Sequence, residues 1–323
     1  MEKQLTQLFL LDNVSESSVL SYITALRKIA HVKKLESLDF IYDVETVMTN
    51  IKMLKKKEAT DNTVKTRLTA ILTTLRVIGA DSQLVNTYKN YHDEIKKRLL
   101  QIEESGVKND KQIAYYMTDE EIDSVTQRLK SKATGKKSSF NSRQDYLLWS
   151  LYTKMSPRRN LDYWLMDIVT DDVDWRTLPI ERNYYMVKQQ RMIYNQHKNT
   201  RTANERGIVE QIDLSDNQEM IEILTNYINC LPPMKLYHTK YIPILCYRNG
   251  IRWERSTYIY ERLSLIAGKK LGSNALRHIM AENVAPPREE LTVVAKQAKE
   301  MGHSIAEHIT TYVKKSGIID KTH

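Results

Sequence analysis

An ordered set of Arg, Lys, Arg, His and Tyr side chains runs through the second half of this chain. Arg158 and Arg159 stand in Ser-Pro-Arg-Arg-Asn-Leu-Asp-Tyr, Lys198 in Asn-Gln-His-Lys-Asn-Thr, and Arg277 in Gly-Ser-Asn-Ala-Leu-Arg-His. A Gly302-His303 pair is followed nine positions later by Tyr312. Such a set suits phosphodiester transfer, which needs an in-line nucleophile, positive donors around the pentacoordinate phosphate, and an acid for the leaving sugar oxygen. Guanidinium forks match two non-bridging oxygens and stay charged, whereas a lysine can lose its proton and act as the acid. The chain has no His-Glu-x-x-His, no paired Asp-x-Asp on an expected strand and no phosphate-cradling glycine loop. Asp171, Asp172 and Asp174 follow an expected helix and read as a turn. The expectation is therefore no metal site and no cofactor.

In these residues the chain resembles the tyrosine recombinases of the phage-integrase family, over nearly its whole length. The resemblance implies a helical core-binding domain that clamps DNA, ahead of a catalytic domain with a β-hairpin and a C-terminal nucleophile helix. It implies Arg159 as the first phosphate-binding arginine, because the family places an acidic residue three positions on and apolar residues four and seven positions on, here Asp162, Tyr163 and Met166. Arg158 is then a neighbouring DNA contact or a helix-start charge. By the same resemblance Lys198 protonates the 5′ oxygen, Arg277 is the second arginine, His303 donates to the scissile phosphate, and Tyr312 attacks to form a 3′-phosphotyrosyl bond. The family commonly has His three residues before the second arginine; here that position is Asn274. Asn donates a hydrogen bond but exchanges no proton near neutral pH, so the group that deprotonates Tyr312 is left unassigned. His278 is one position from Arg277, about 100° around a helix.

The implied activity is site-specific DNA recombination or integration, independent of metal and ATP. Its implied partner is double-stranded DNA, with four protomers on two paired sites. A type IB topoisomerase or a hairpin-forming resolvase would use the same chemistry, and a non-catalytic DNA-binding protein with an eroded site is a third reading. The target sequence and the direction of exchange are not written in the chain.

Composition agrees with a polyanion partner: 49 Lys and Arg against 40 Asp and Glu give a net charge of +9 and a pI near 9.2. A hydrophobic content of 41% and the spread of apolar residues argue against a disordered chain. No apolar run approaches the length of a membrane span, and the start lacks a signal peptide, so cytoplasm or nucleus is expected. Cys230 and Cys246 are too few for a zinc site and are expected to be reduced and buried. Richness in Lys, Asn, Ile and Tyr fits an AT-rich genome such as that of a virus or mobile element.

The elements that must position these residues read as mainly α with a small antiparallel β-sheet, an α+β class in two domains, 1–108 and 109–323. In the first, helices are expected over 15–30 (Val19, Ile23, Leu26, Ala30), 43–54 (Val44, Val47, Met48, Ile51, Leu54), 60–78 (Val64, Leu68, Ile71, Leu72, Leu75) and 82–104 (Leu84, Tyr88, Tyr91, Ile95, Leu99, Ile102). Lys65, Arg67 and Arg76 lie off the third stripe; Lys65 and Arg67, together with Arg158 and Arg201, are the expected DNA contacts. The polar stretch 106–112 reads as the linker, and Thr118-Asp-Glu-Glu121 as a capping box. A loop is expected over 130–143, a helix over 145–154, and short strands over 184–188, 191–196 and 207–214, where Ile208, Glu210, Ile212 and Leu214 alternate.

Overall fold

Polar caps and apolar stripes set the helices of the first hundred residues. A computed structural model describes residues 1–54, 57–104, 108–197, 209–231, 241–284 and 297–302. The chain divides into two compact units, Met1–Ser105 and Gly106–His323. The first consists of helices α1 (Glu2–Leu11), α2 (Glu16–Ile29), α3 (Val44–Lys52), α4 (Asp61–Val77) and α5 (Ser82–Glu104), with a two-stranded hairpin, β1 (Met53–Leu54) and β2 (Lys57–Glu58), between α3 and α4. Ser15, Asp43 and Thr60 accept from backbone N–H groups at the starts of α2, α3 and α4. Leu5, Phe9, Ile23, Leu26, Ile51, Leu68, Ile71 and Tyr88 form the centre of the core.

Three findings here differ from the sequence expectation. Helix α1 and the hairpin were not expected. Tyr91 and Ile102 fall off the buried side of α5, at 38% and 55% exposure. Arg67, expected on an outward face, is 6% exposed. Its Nη1 donates to the carbonyls of Asn50, Ile51 and Met53 at 3.1, 2.8 and 3.0 Å. Helix carbonyls at a C-terminal end have no intrahelical partner, so Arg67 serves as an internal cap for α3 rather than a side chain offered to DNA. Lys65, two residues before it, is half-buried.

The second unit is built around α8 (Phe140–Thr153), whose residues 146–152 are buried without a break. A helix that is apolar all round must be enclosed. Helices α7 (Asp119–Thr134), α10 (Gln218–Ile228), α11 (Tyr258–Ala267) and α12 (Ser273–Val284) pack against it. Capping boxes start α7 at Thr118 and Glu121, and α8 at Ser139 and Ser142, so the expected loop over 130–143 shrinks to the few residues between the helices. A third box, at Asn109 and Gln112, starts a short helix α6 (Asp110–Tyr115) inside the stretch read as a linker.

The sheet is mixed rather than antiparallel. Its strands are β3 (Met166–Val169), β4 (Asn183–Met186), β5 (Arg191–Tyr194), β6 (Glu210–Asp213) and β7 (Ile242–Pro243), in the order β6-β5-β4-β3-β7. Strands β3 and β4 run parallel, and the other pairs are antiparallel. Helical spacing alone runs on from Arg159 through Met166 and so does not distinguish β3 from a longer helix. Helix α9 (Asn160–Trp164) lasts five residues, and Met166-Asp-Ile-Val169 then pairs on both edges. Asp171, Asp172 and Asp174 thus follow a strand. Alternation across the sheet is strict: Ile168, Tyr185, Met192, Tyr194 and Ile212 enter the main core, while Val169, Tyr184, Met186 and Ile193 form a smaller cluster on the other face.

Candidate active site

Helix α8 ends at Thr153, and the segment that follows buries Arg158 before α9 begins. Arg158 is 0% exposed. Its Nε donates to Asp162 Oδ2 at 2.9 Å, one helical turn on, and its Nη1 lies 2.6 Å from Glu210 Oε2 of β6. Nη1 also donates to the carbonyl of Glu300. The guanidinium stacks 4.0 Å above the Tyr194 ring of β5. The β5–β6 register sets Glu210 opposite Tyr194, which brings carboxylate and ring to the same place. Burial alone would lower the pKa of Arg158, but Asp162, Tyr194 and Glu210 beside it raise it above the ordinary arginine value.

Arg277, on the first turns of α12, is also 0% exposed. Its Nε donates to the carbonyl of Pro157 at 3.2 Å, next to Arg158 in sequence, and its Nη2 to the carbonyl of Met301 at 3.4 Å. Both arginines therefore hold the turn at 300–302. That turn ends in Gly302, whose φ of +72° favours glycine. A Cβ there would sit 3.6 Å from both Arg158 Nη2 and Glu210 Oε1. Among the described residues, two buried guanidinium groups, Arg158 and Arg277, thus share the site with two carboxylates, Asp162 and Glu210.

Buried phenols surround the arginines. Tyr163 accepts from the Arg158 N–H at 3.3 Å and donates to the Leu151 carbonyl at 2.8 Å, and Tyr152 donates to Asn160 Oδ1 at 3.0 Å. Burial raises the pKa of Tyr152, Tyr163 and Tyr194 well above that of a free phenol. His197, three residues beyond β5, is 8% exposed, and its Nε2 lies 3.8 Å from Glu210 Oε1. Burial lowers its pKa, which favours the neutral imidazole.

Among the residues expected from sequence, Arg158 and Arg277 are brought together, and Gly302 reaches them. Arg159 is the half-buried N-cap residue of α9. Asn274 is exposed, and with His278 and Glu282 it lines a cavity of about 270 Å³ that also has Lys108 and Tyr116 in its wall. Lys198, Arg201, His303 and Tyr312 lie outside the described residues. Among the described residues no group of His, Cys, Asp and Glu has metal-binding geometry, and no helix is long and apolar enough to cross a membrane.

No protein-family model and no curated protein matches the chain. One solved structure to which it is similar is that of XerA recombinase. The two share 12% identity over 96% of this chain and 92% of that one, with a TM-score of 0.40.

Sequence reasoning passed over Glu210, His197 and Tyr194. A signal for Glu210 was present: it shares its face of β6 with Ile212, which is buried, so the alternation places a carboxylate in an inward register. His197 adjoins Lys198 in a motif read only for its lysine.

Proposed function

We propose that this protein is a DNA strand-exchange enzyme that cuts and rejoins DNA through Tyr312, as its motifs resemble those of tyrosine recombinases. The observation that carries the reading is the convergence of two fully buried guanidinium groups, Arg158 and Arg277, on the turn that leads into His303. Burying one arginine is uncommon. Burying two beside one another, from segments 120 residues apart in sequence, suits an anion that both must hold.

In this reading Arg158 and Arg277 take the non-bridging oxygens, and Arg159, at the start of α9, meets a flanking phosphate. The sequence pattern favours Arg159 for the first role; the geometry around Arg277 favours Arg158. The nucleophile is a phenol. Tyr152, Tyr163 and Tyr194 are unsuited, because burial raises their pKa values and holds them neutral. Tyr312, spaced from His303 as the resemblance requires, gives up its phenolic proton to water and attacks the phosphorus; the 5′ oxygen leaves with a proton from Lys198, and a 5′ hydroxyl later returns a proton to Lys198 and attacks the phosphotyrosyl ester, releasing Tyr312, which is reprotonated. The ester conserves the bond energy, so no ATP is called for.

The test is strand joining on a pool of duplexes selected for binding, in EDTA and without ATP. The wild-type protein should produce joined strands, and Arg277→Ala should slow the reaction by about a hundredfold or more. Strand joining that survives Arg277→Ala at full rate would overturn the assignment.

A further inference from the structure

We infer that Glu210 is a further residue of this site, a counter-ion whose carboxylate holds Arg158 in the free protein and yields its place to a phosphate diester. The inference rests on the functional reading above and names how the same site admits its anion.

The two carboxylates on Arg158 are not equivalent. Asp162 is 1% exposed, lies one turn along α9 and meets Nε at 2.9 Å, which makes it a fixed partner. Glu210 reaches in from β6, an edge strand of the sheet, and its side chain keeps 18% exposure. It is the partner with a route to solvent. Its Oε2 is 2.6 Å from Nη1, and Arg158 Nη2 is buried with no hydrogen-bond partner among the described residues. Nη2 is the guanidinium nitrogen nearest the added Cβ position of Gly302, where Glu210 Oε1 also arrives. Guanidinium edge, carboxylate and the turn before His303 thus meet at one point, with a donor unused there.

Charge decides what this means for an incoming phosphate. Among the described residues, the two buried guanidinium groups of Arg158 and Arg277 face the two carboxylates of Asp162 and Glu210. A diester brought beside Arg158 while Glu210 stays would meet a like charge a few ångströms away, in surroundings that screen poorly. With Glu210 withdrawn, the diester takes over the role of second anion on Arg158. A phosphate oxygen could also accept from Nη2.

The variant Glu210→Gln keeps shape and removes charge. Binding of inorganic phosphate, followed by 31P NMR, and of a random-sequence duplex, followed by fluorescence anisotropy, should both tighten, by about tenfold or more for phosphate, since like-charge opposition is strongly disfavoured. In Glu210→Gln with Arg158→Met the gain should vanish. A Glu210→Gln protein that keeps its native circular dichroism and binds phosphate no tighter than wild type would overturn the inference, because a purely structural ion pair leaves affinity equal or weaker. Glu210→Asp, which retracts the carboxylate by one methylene, covers the case in which the first variant does not fold; it too should bind phosphate more tightly, and unchanged or weaker affinity would again sink the idea. Phosphate affinity is read without any strand cleavage, so a wild-type protein that never joins DNA defeats the functional reading while leaving this measurement to stand separately.

Discussion

Removing Arg158 should unmask how much of the second unit is organised around a buried charge. In Arg158→Met the methionine fills much of the space above Tyr194, but Asp162, 1% exposed, loses the guanidinium that lies 2.9 Å away. Breaking a buried pair from one side costs about 3–5 kcal/mol, most of it the uncompensated charge left behind. Asp162→Asn leaves Arg158 with Glu210 and the Glu300 carbonyl, so a smaller loss of about 2–3 kcal/mol is expected. If the two effects were independent the double variant would lose their sum. Because neither of that pair then remains charged, the double variant should instead fall short of the sum by about 2 kcal/mol or more. Urea unfolding followed by tryptophan fluorescence reads this directly, since Trp149, Trp164, Trp175 and Trp253 all belong to the second unit. A single-variant loss below about 1 kcal/mol, or additivity within about 0.5 kcal/mol, would refute the reasoning.

Other outcomes follow from the same geometry. Arg67→Met should destabilise the first unit by about 2–4 kcal/mol, through three carbonyls left without a donor, while the tryptophan-reported transition of the second unit stays put; circular dichroism melts that match wild type would contradict the cap. The Arg27 fork and the Leu35 N–H hold the Glu2 carboxyl down at about 2. A carboxyl lowered on folding contributes stability that is present above its unfolded pKa and is lost as pH falls through that value toward the folded one. Glu2→Gln should therefore be less stable than wild type at pH 7 and equal to it near pH 2, and a deficit that persists at pH 2 would count against the pairing. Burial pushes the Cys246 thiol up to about 11, so it should resist an aromatic disulfide reagent at pH 8 until urea unfolds the second unit; rapid labelling of the native protein at Cys246 would contradict its burial.

How far the sequence could be read depended on whether a residue's neighbours were local. Helical stripes such as Val64, Leu68, Ile71 and Leu75, and the box at Thr118 and Glu121, are set within a few positions and were legible. Strand β3 was not, because Tyr163 and Met166 fit helical spacing as well as they fit a short helix followed by a strand, and what decides is pairing with β4 and β7. Arg67 looked outward by periodicity alone; its three acceptors come from another helix and its exit. At the site, the local pattern pointed to Arg159, whereas the burial of Arg158 depends on Tyr194, Glu210 and Glu300, all distant in sequence. Glu210 was the most legible of the overlooked residues, being a charge on the inward alternation of an otherwise apolar strand face.

In the proposed function Tyr312 becomes covalently bonded to DNA at a phosphate held by Arg158 and Arg277. Duplexes selected by binding from a random pool can be nicked near the bound centre, so that the released strand diffuses away and traps the intermediate, and the adduct can be digested and mapped by mass spectrometry. A nucleotide should be attached to the peptide containing Tyr312, absent in Tyr312→Phe and reduced about a hundredfold or more in Arg277→Ala. An adduct that maps elsewhere, or that persists in Tyr312→Phe, or no adduct on any duplex the protein binds, would contradict it.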